Sequence, residues 1–126
     1  MARKTFTLYA AAYVGNFRIA QLLIEEFGAE VDYEAGPFGT ALQAAAYQGD
    51  EDTVEILLEH GANPFAEGGT CGSPLEAAAG KGYQFILKAF LNHRSVDEAE
   101  KRVMRGAWEK AKSLSDELER DSIVGL

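Results

Sequence analysis

Three carboxylates stand side by side at residues 50–52 and form the densest group of potential metal ligands or acid–base catalysts in the sequence. Asp50, Glu51 and Asp52 precede an apolar pattern of helical spacing. Neighbouring residues of a helix point in different directions, so the three would chelate one ion poorly. Carboxylates in the first turn of a helix are stabilised by the positive end of its dipole. The sequence therefore predicts a structural role for this triplet and no metal site.

Two histidines, His60 and His93, are the next candidates for a metal or proton-transfer site. Their separation in sequence equals that of Leu42 and Leu75, which is the period of the internal repeat described below. Equivalent positions on stacked helices are separated by about 8–10 Å. That distance is too long for a shared metal ion or a proton relay, so we predict a structural role for both.

The stretch Gly-Gly-Thr-Cys-Gly-Ser at residues 68–73 comes nearest to a phosphate-binding loop. It lacks the Lys-Ser or Lys-Thr ending of a P-loop, and no apolar strand precedes it. Cys71 has no basic neighbour in the sequence that would activate its thiol. We predict a turn between helices here, and no catalytic, cofactor-binding or metal-binding residue anywhere in the chain.

The net charge of the chain indicates which classes of partner it is expected to bind. Its 12 basic and 20 acidic side chains give a formal net charge of −8 over 126 residues. Nucleic-acid binding needs clustered positive charge, and so does docking on an anionic membrane. We therefore expect a protein partner of unknown identity, no nucleic acid and no membrane.

The single cysteine and the absence of a long apolar run bear on the compartment. Cys71 cannot form a disulfide within the chain, which favours a reducing compartment. The longest runs without charge, residues 5–17 and 35–49, are too short to span a bilayer. We expect a cytoplasmic protein, with the nucleus as the alternative, and not a secreted one.

An internal repeat organises most of the chain. Residues 8–15 read LYAAAYVG, residues 42–49 read LQAAAYQG and residues 75–82 read LEAAAGKG. The interval between the first and second segments is one residue longer than the interval between the second and third. A period of about 33 residues is typical of stacked supersecondary units, none of which can bury its apolar face alone.

Each repeat predicts two helices joined by a glycine. The alanine triplets have high helix propensity and leave little bulk, so that neighbouring helices can pack closely. A second helix follows each glycine, and its apolar residues show i, i+3, i+4 spacing. These predicted stripes are Ile19, Leu22 and Leu23, then Val54, Leu57 and Leu58, then Leu87, Phe90 and Leu91. The Gly- and Pro-containing residues 30–39 and 63–72 predict turns or hairpin-like loops.

With these motifs the sequence resembles the ankyrin-repeat family. The second repeat carries the family pattern in Thr40-Ala41-Leu42-Gln43 and ends it with Gly61-Ala62, while the third begins Ser73-Pro74-Leu75-Glu76. The family's histidine after the leucine is absent, since Tyr9, Gln43 and Glu76 occupy that position. The resemblance implies an all-α solenoid of stacked helix-turn-helix units with hairpin-like loops, to which the residues of the tail add a C-terminal amphipathic helix. The expected division is repeats at 1–94 (about 6–39, 40–72 and 73–94) and a capping helix and tail at 95–126.

The tail after residue 94 departs from the repeat. Ser95 and Glu98 match a capping box and predict a helix start. One amphipathic helix, with Gly106 as a point where it can break, would cover the third repeat. A decayed fourth repeat is the alternative, because Trp108 follows Leu75 at the same interval at which Leu75 follows Leu42. The predicted apolar stripe is Val96, Ala99, Val103, Met104, Ala107, Trp108, Ala111, Leu114 and Leu118.

The first repeat shows no preceding cap. We expect an apolar edge around Phe6, Leu8, Ile19 and Leu22. Either the sequence is a fragment of a longer array, or a partner or a second copy covers this edge.

The family uses a concave groove and its loop tips for binding, and the resemblance places specific residues there. Two tyrosines at equivalent positions of adjacent repeats would form a ladder, and tyrosine is enriched in binding hot spots. We predict a non-enzymatic protein-interaction module. The alternatives are a regulatory or targeting fragment of a larger multidomain signalling protein or enzyme, and a self-assembling repeat unit. The predicted partner-binding residues are Tyr13, Val14, Phe38, Tyr47, Gln48, Phe65 and Lys81.

Overall fold

The computed structural model describes residues 2–70, 72–92 and 97–124. Within these ranges the chain forms seven helices and one isolated antiparallel bridge, between Gly36 and Gly39. The helices are α1 (Ala2–Val14), α2 (Phe17–Glu25), α3 (Ala41–Gln48), α4 (Glu51–Glu59), α5 (Pro74–Lys81), α6 (Gln84–Leu91) and α7 (Glu98–Val124). The predicted all-α repeat fold is confirmed.

The first six helices form two layers. An inner layer contains α1, α3 and α5, and an outer layer contains α2, α4 and α6. Each inner helix also packs on the outer helix that follows it, so that α1 and α2, α3 and α4, and α5 and α6 are the three repeated units. Helix α7 packs on both α5 and α6.

Alanines make the inner layer tight. Ala12, Ala44, Ala45, Ala46 and Ala78 are completely buried. A methyl side chain lets helix backbones approach closely while the interior stays fully packed. Glycine then ends the inner helix: Gly49 adopts a left-handed conformation (φ 82°), and a Cβ atom there would lie 2.9 Å from the ring of Tyr83. The turn and the next repeat therefore both require glycine at this position.

The outer helices bury one stripe each, and the predicted stripe of α2 is wrong by one residue. Ala20 is completely buried and Leu23 and Ile24 pack on the core, whereas Ile19 and Leu22 are 43% and 48% exposed. The register follows the distance from the inner helix, since Ala20, Leu23 and Ile24 follow Leu8 at the same intervals at which Val54, Leu57 and Leu58 follow Leu42. Matching the pair Leu22-Leu23 to Leu57-Leu58 shifts the stripe by one residue. The extra residue of the first period lies later, in the turn after α2, where the amide of Ala29 bonds to the carbonyl of Leu23.

The equivalent bond at the end of α4 spans one residue fewer. There the amide of Ala62 bonds to the carbonyl of Leu57.

The stripes of α4 and α6 are confirmed, with Val54, Leu57 and Leu87 fully buried. Leu8 is also fully buried, so the predicted apolar edge of the first repeat is wrong for this residue.

The loops after α2 and α4 have the predicted hairpin-like turns. The amide of Ala35 donates to the carbonyl of Gly39, and one repeat period later the amide of Gly68 donates to the carbonyl of Gly72. The second loop is bound to the first, since the amide of Thr70 donates to the carbonyl of Pro37 at 3.0 Å. Consecutive loops thus stack as the helices do.

A buried glutamine ties the second repeat to the second loop. Gln43 is 1% exposed, and its Nε2 donates to the carbonyls of Gly68 (2.7 Å) and Gly72 (2.6 Å). Its Oε1 accepts from the amide of Thr40 at 2.6 Å. Tyr9, at the same repeat position, accepts a hydrogen bond from the amide of Phe38 in the first loop. The position at which the family has histidine therefore joins helix to loop in both repeats.

Helix α7 begins slightly later than the predicted capping box implies. The amide of Glu100 donates to Asp97 and the amide of Asp97 donates to Glu100, which is the reciprocal capping pair. Glu98 is the first helical residue. The pairing of Glu98 with Ser95 stays a prediction. Ser95 and Val96 lie outside the described residues, as does the expected boundary between residues 94 and 95. The helix is unbroken at Gly106.

The buried face of α7 is narrower than the predicted stripe. Met104 is completely buried, and Ala107 and Trp108 pack on the core. Ala99 is exposed and Val103 is 58% exposed, so these two do not belong to that face. The side chains of the remaining predicted members, Ala111, Leu114 and Leu118, lie outside the described part of the chain.

We expect Gln43→Ala to destabilise the chain strongly, because it leaves two carbonyls of the second loop and the amide of Thr40 without their partner. An unsatisfied buried polar group costs about 1–3 kcal/mol, so the free energy of unfolding should fall by about 2–4 kcal/mol in urea denaturation. The matched control is Gln48→Ala on the same helix, where the side chain is exposed and the change should stay within about 0.5 kcal/mol. Equal losses in both variants would contradict the role assigned to Gln43.

A second pair of variants tests the packing of α7. Met104→Ala should lower the free energy of unfolding by about 2–5 kcal/mol, as is typical of a buried methionine. Val103→Ala, at the preceding position and largely exposed, should change it by less than about 0.5 kcal/mol. Thermal or urea unfolding of the full chain measures both. A Met104→Ala chain as stable as the wild type would show that α7 does not seal the end of the stack.

Candidate functional site

Three aromatic rings stack along the face of the inner helices. The ring centroids of Tyr13 and Phe38 are 5.7 Å apart with an interplanar angle of 22°. Those of Phe38 and Tyr47 are 4.4 Å apart at 26°. The first distance lies within the range of about 4.5–7 Å for favourable offset stacking, and the second lies at its lower end.

Repeat geometry and loop contacts together position the rings. Tyr13 and Tyr47 stand at the same distance before the helix-ending glycine, so they occupy equivalent points of α1 and α3. Phe38 comes from the first loop, where the hydroxyl of Tyr9 holds its amide at 3.0 Å. The ring of Tyr9 lies so close beneath this loop that a Cβ atom on Gly36 would be 2.4 Å from it. The sequence predicts Phe38 as a partner-binding residue outside the ladder of two tyrosines, whereas the structure inserts its ring between them.

Lys81 continues the stack on its far side. Its Nζ lies 4.4 Å from the ring centroid of Tyr47, a cation–π distance. We call Tyr13, Phe38, Tyr47 and Lys81 the ring row. Tyr13 is 42% exposed and Lys81 is exposed, while Phe38 and Tyr47 are half-buried. The row is thus both ordered by its own contacts and open to solvent.

Two other predicted residues flank the ring row. Val14 is 74% exposed and Gln48 is exposed. Together with Tyr13, Gly15, Gly49 and Asp50 they line a shallow depression at the turns that end α1 and α3. They enlarge the accessible surface beside the row without joining the stack.

Phe65 belongs to a different place, a cleft at the end of the stack. It is half-buried and packs on the core. The cleft has a volume of about 680 Å³ and lies between α5, the second loop and α7. We call it the end cleft, and its lining residues are Phe65, Glu67, Ser73, Leu75, Glu76, Ala79, Gly80, Val103, Ala107 and Lys110.

The contribution of α7 to this cleft is missing from the sequence-based prediction. Val103, Ala107 and Lys110 follow one another at i, i+4 and i+7, the spacing of one helix face. This spacing could have identified the three residues as one face of α7. The apolar periodicity alone, however, assigns Val103 and Ala107 to the buried stripe and gives Lys110 no role.

Two of the candidates for catalysis or metal binding, Asp50 and His60, have structural partners. The hydroxyl of Thr53 donates to the carboxylate of Asp50, which is the N-cap residue of α4. His60 lies 2.9 Å from the carbonyl of Ile56 through Nδ1 and 3.3 Å from Glu25 through Nε2. Among the residues that the structure describes, no group of three His, Cys, Asp or Glu side chains could hold a metal ion. His93 and Cys71 lie outside the described residues.

Comparison with known proteins shows which family the chain resembles. The sequence model for ankyrin repeats, in three copies, matches residues 7–103. A probable E3 ubiquitin-protein ligase of Oryza sativa subsp. japonica is 46% identical over 63 residues, which is 48% of this chain. The chain spans only 12% of the length of that relative.

Proposed function

Because the chain belongs to the ankyrin-repeat family, we propose that it binds a segment of another protein across the ring row. Ankyrin repeats mediate protein–protein interaction, and the identity of the partner is a separate question. The observation that carries the proposal is the solvent-accessible stack of Tyr13, Phe38 and Tyr47. A binding surface needs apolar area that is accessible and already ordered, and this stack provides both.

The physical case rests on the cost of ordering side chains. A partner that immobilises flexible side chains loses about 0.5–1.5 kcal/mol for each of them. The rings of the row already restrain one another, and the amide of Phe38 is bound to Tyr9. Tyr and other aromatic residues therefore contribute contact area here at a low entropic cost. Lys81 and the exposed Gln48 add polar contacts beside the rings.

We extend the proposal to a non-enzymatic role in the cytoplasm or nucleus. The support is the family's interaction fold together with the single cysteine, which suits a reducing compartment. No helix in the described part of the chain is long and apolar enough to cross a membrane.

A second proposal treats the same module as the targeting part of a larger protein. It rests on the match to the rice relative, in which the aligned region is a small part of a probable ligase. In such a protein the repeats would select the target and another domain would carry the activity. A full-length transcript that continues into a catalytic domain would support this proposal, and one that encodes these residues alone would contradict it.

We keep self-assembly through the first repeat as a third proposal, with a prediction of its own. Phe6, Ile19 and Leu22 are 60%, 43% and 48% exposed, and exposed apolar side chains favour association. Sedimentation of the full chain at rising concentration should show association that Ile19→Glu weakens. Phe85→Glu, on the outer helix of the third repeat, is the control and should leave association unchanged. A strictly monomeric wild type contradicts the proposal.

Our main prediction concerns Tyr13. A partner captured by the immobilised chain, once identified and reduced to its binding segment, should bind Tyr13→Ala about 30-fold more weakly, which corresponds to about 2 kcal/mol. Because Tyr13 is 42% exposed, the thermal melting of this variant should change little.

The matched control is Phe85→Ala, since Phe85 is an aromatic residue that is 70% exposed on α6. Calorimetric titration should give this variant wild-type affinity within about twofold, as expected for a residue outside the hot spot. If Phe85→Ala weakens binding and Tyr13→Ala does not, the partner lies on the outer helices and the ring row is not the binding surface.

A further inference from the structure

The aromatic part of the ring row ends before the third repeat. The residue equivalent to Tyr13 and Tyr47 is Gly80, which has no side chain. A Cβ atom built on Gly80 would meet nothing within 4 Å, so the space in front of it is open. Gly80 lines the end cleft, and Lys81, the next residue of α5, stands over Tyr47, so the cleft and the row meet the same turn of α5.

The cleft has apolar walls on both sides. Leu75 and Ala79 of α5 form one wall together with Phe65 of the second loop, and Val103 and Ala107 of α7 form the other. Its volume of about 680 Å³ lies within the ~300–1,000 Å³ range of ligand sites. Val103 is 58% exposed although it is apolar, so an incoming side chain would remove its surface from water.

The rim of the cleft is acidic. Glu67 and Glu76 line it with Lys110 as the only basic side chain among its lining residues, which leaves an excess of negative charge. Complementary charge at an interface selects partners and disfavours like-charged ones.

We propose that the end cleft receives an apolar side chain of the partner segment, and that Glu67 and Glu76 pair with a Lys or Arg beside that side chain. This inference rests on the proposed function, since it assigns the second contact of a segment already lying on the ring row. A second copy of the chain is a poor occupant because each copy carries a net charge of −8 and would bring negative charge to a negative rim.

The chain offers a clean way to close the cleft. Gly80 is helical and exposed, it lines the cleft, and a Cβ atom there meets nothing within 4 Å, so Gly80→Phe introduces a bulky ring at the cleft from an open position. Gly106 on α7 is also helical and exposed with open space at its Cβ position but does not line the cleft, so Gly106→Phe is the matched control. The probe is the set of peptides selected from a random phage-displayed library on the immobilised full chain.

Selected peptides should share an apolar residue next to Lys or Arg. By fluorescence anisotropy, Gly80→Phe should bind them at least about tenfold more weakly, whereas Gly106→Phe should stay within about twofold of wild type. Replacing the apolar residue of the peptide with Ala should weaken binding to the wild type and have no further effect on Gly80→Phe. In the Glu67→Gln, Glu76→Gln double variant, the dependence of binding on salt should shrink.

Other outcomes overturn the inference. If the selected peptides share acidic residues, or if Gly80→Phe binds them as tightly as the wild type does, the end cleft is not a contact site of the peptide. If Gly80→Phe has a lower melting temperature than Gly106→Phe, its weaker binding could reflect lost stability. The variant Val103→Lys, on the exposed wall of the cleft, then takes the place of Gly80→Phe in the test. The proposal requires that Val103→Lys weaken binding of the basic peptides. A dimer that Gly80→Phe dissociates would make a second copy the occupant. If Tyr13→Ala weakens peptide binding while Gly80→Phe does not, the cleft assignment fails and the proposed function stands.

Discussion

Close packing of the inner helices through alanine is the constraint on which the structure depends. No single repeat can bury both of its helices, so each must lie against the next over a continuous core. Ala45 and Ala46 of α3 are completely buried in this layer, and Ala12 and Ala78 are equally buried in its neighbours. A larger side chain at these points would separate the helices and misalign everything that projects from them.

The inner layer determines the spacing of the rings. Because α1 and α3 pack directly, Tyr13 and Tyr47 are close enough for one more ring to fill the space between them. Phe38 is that ring, and its place depends on the contact of its own loop with Tyr9. Gln43 fixes the next loop in the same manner. The buried side chains at this repeat position therefore order the loops, and the ordered first loop completes the accessible surface.

The repeat period, the helix pairs and the alignment of the two tyrosines follow from the sequence, because each depends on local spacing and on residues that recur. The stripe of α2 does not, since matching the pair Leu22-Leu23 to Leu57-Leu58 shifts it by one residue, whereas the distance from the inner helix sets its register. The insertion of Phe38 between the tyrosines depends on a loop conformation that is fixed by distant contacts. The exposure of Val103 has the same origin: helical spacing identifies a face, but only the packing of α7 on α5 and α6 decides which face is buried.

The central claim is that the face carrying the ring row is the one that meets a protein partner. Backbone amide NMR spectra of the labelled full chain, recorded as the partner segment is added, test it most directly. The account predicts that the resonances of Tyr13, Phe38, Tyr47 and Gly80 shift or broaden first, while those of the exposed residues of α2, α4 and α6 stay in place. Shifts confined to those outer helices, with the ring row unchanged, would contradict it.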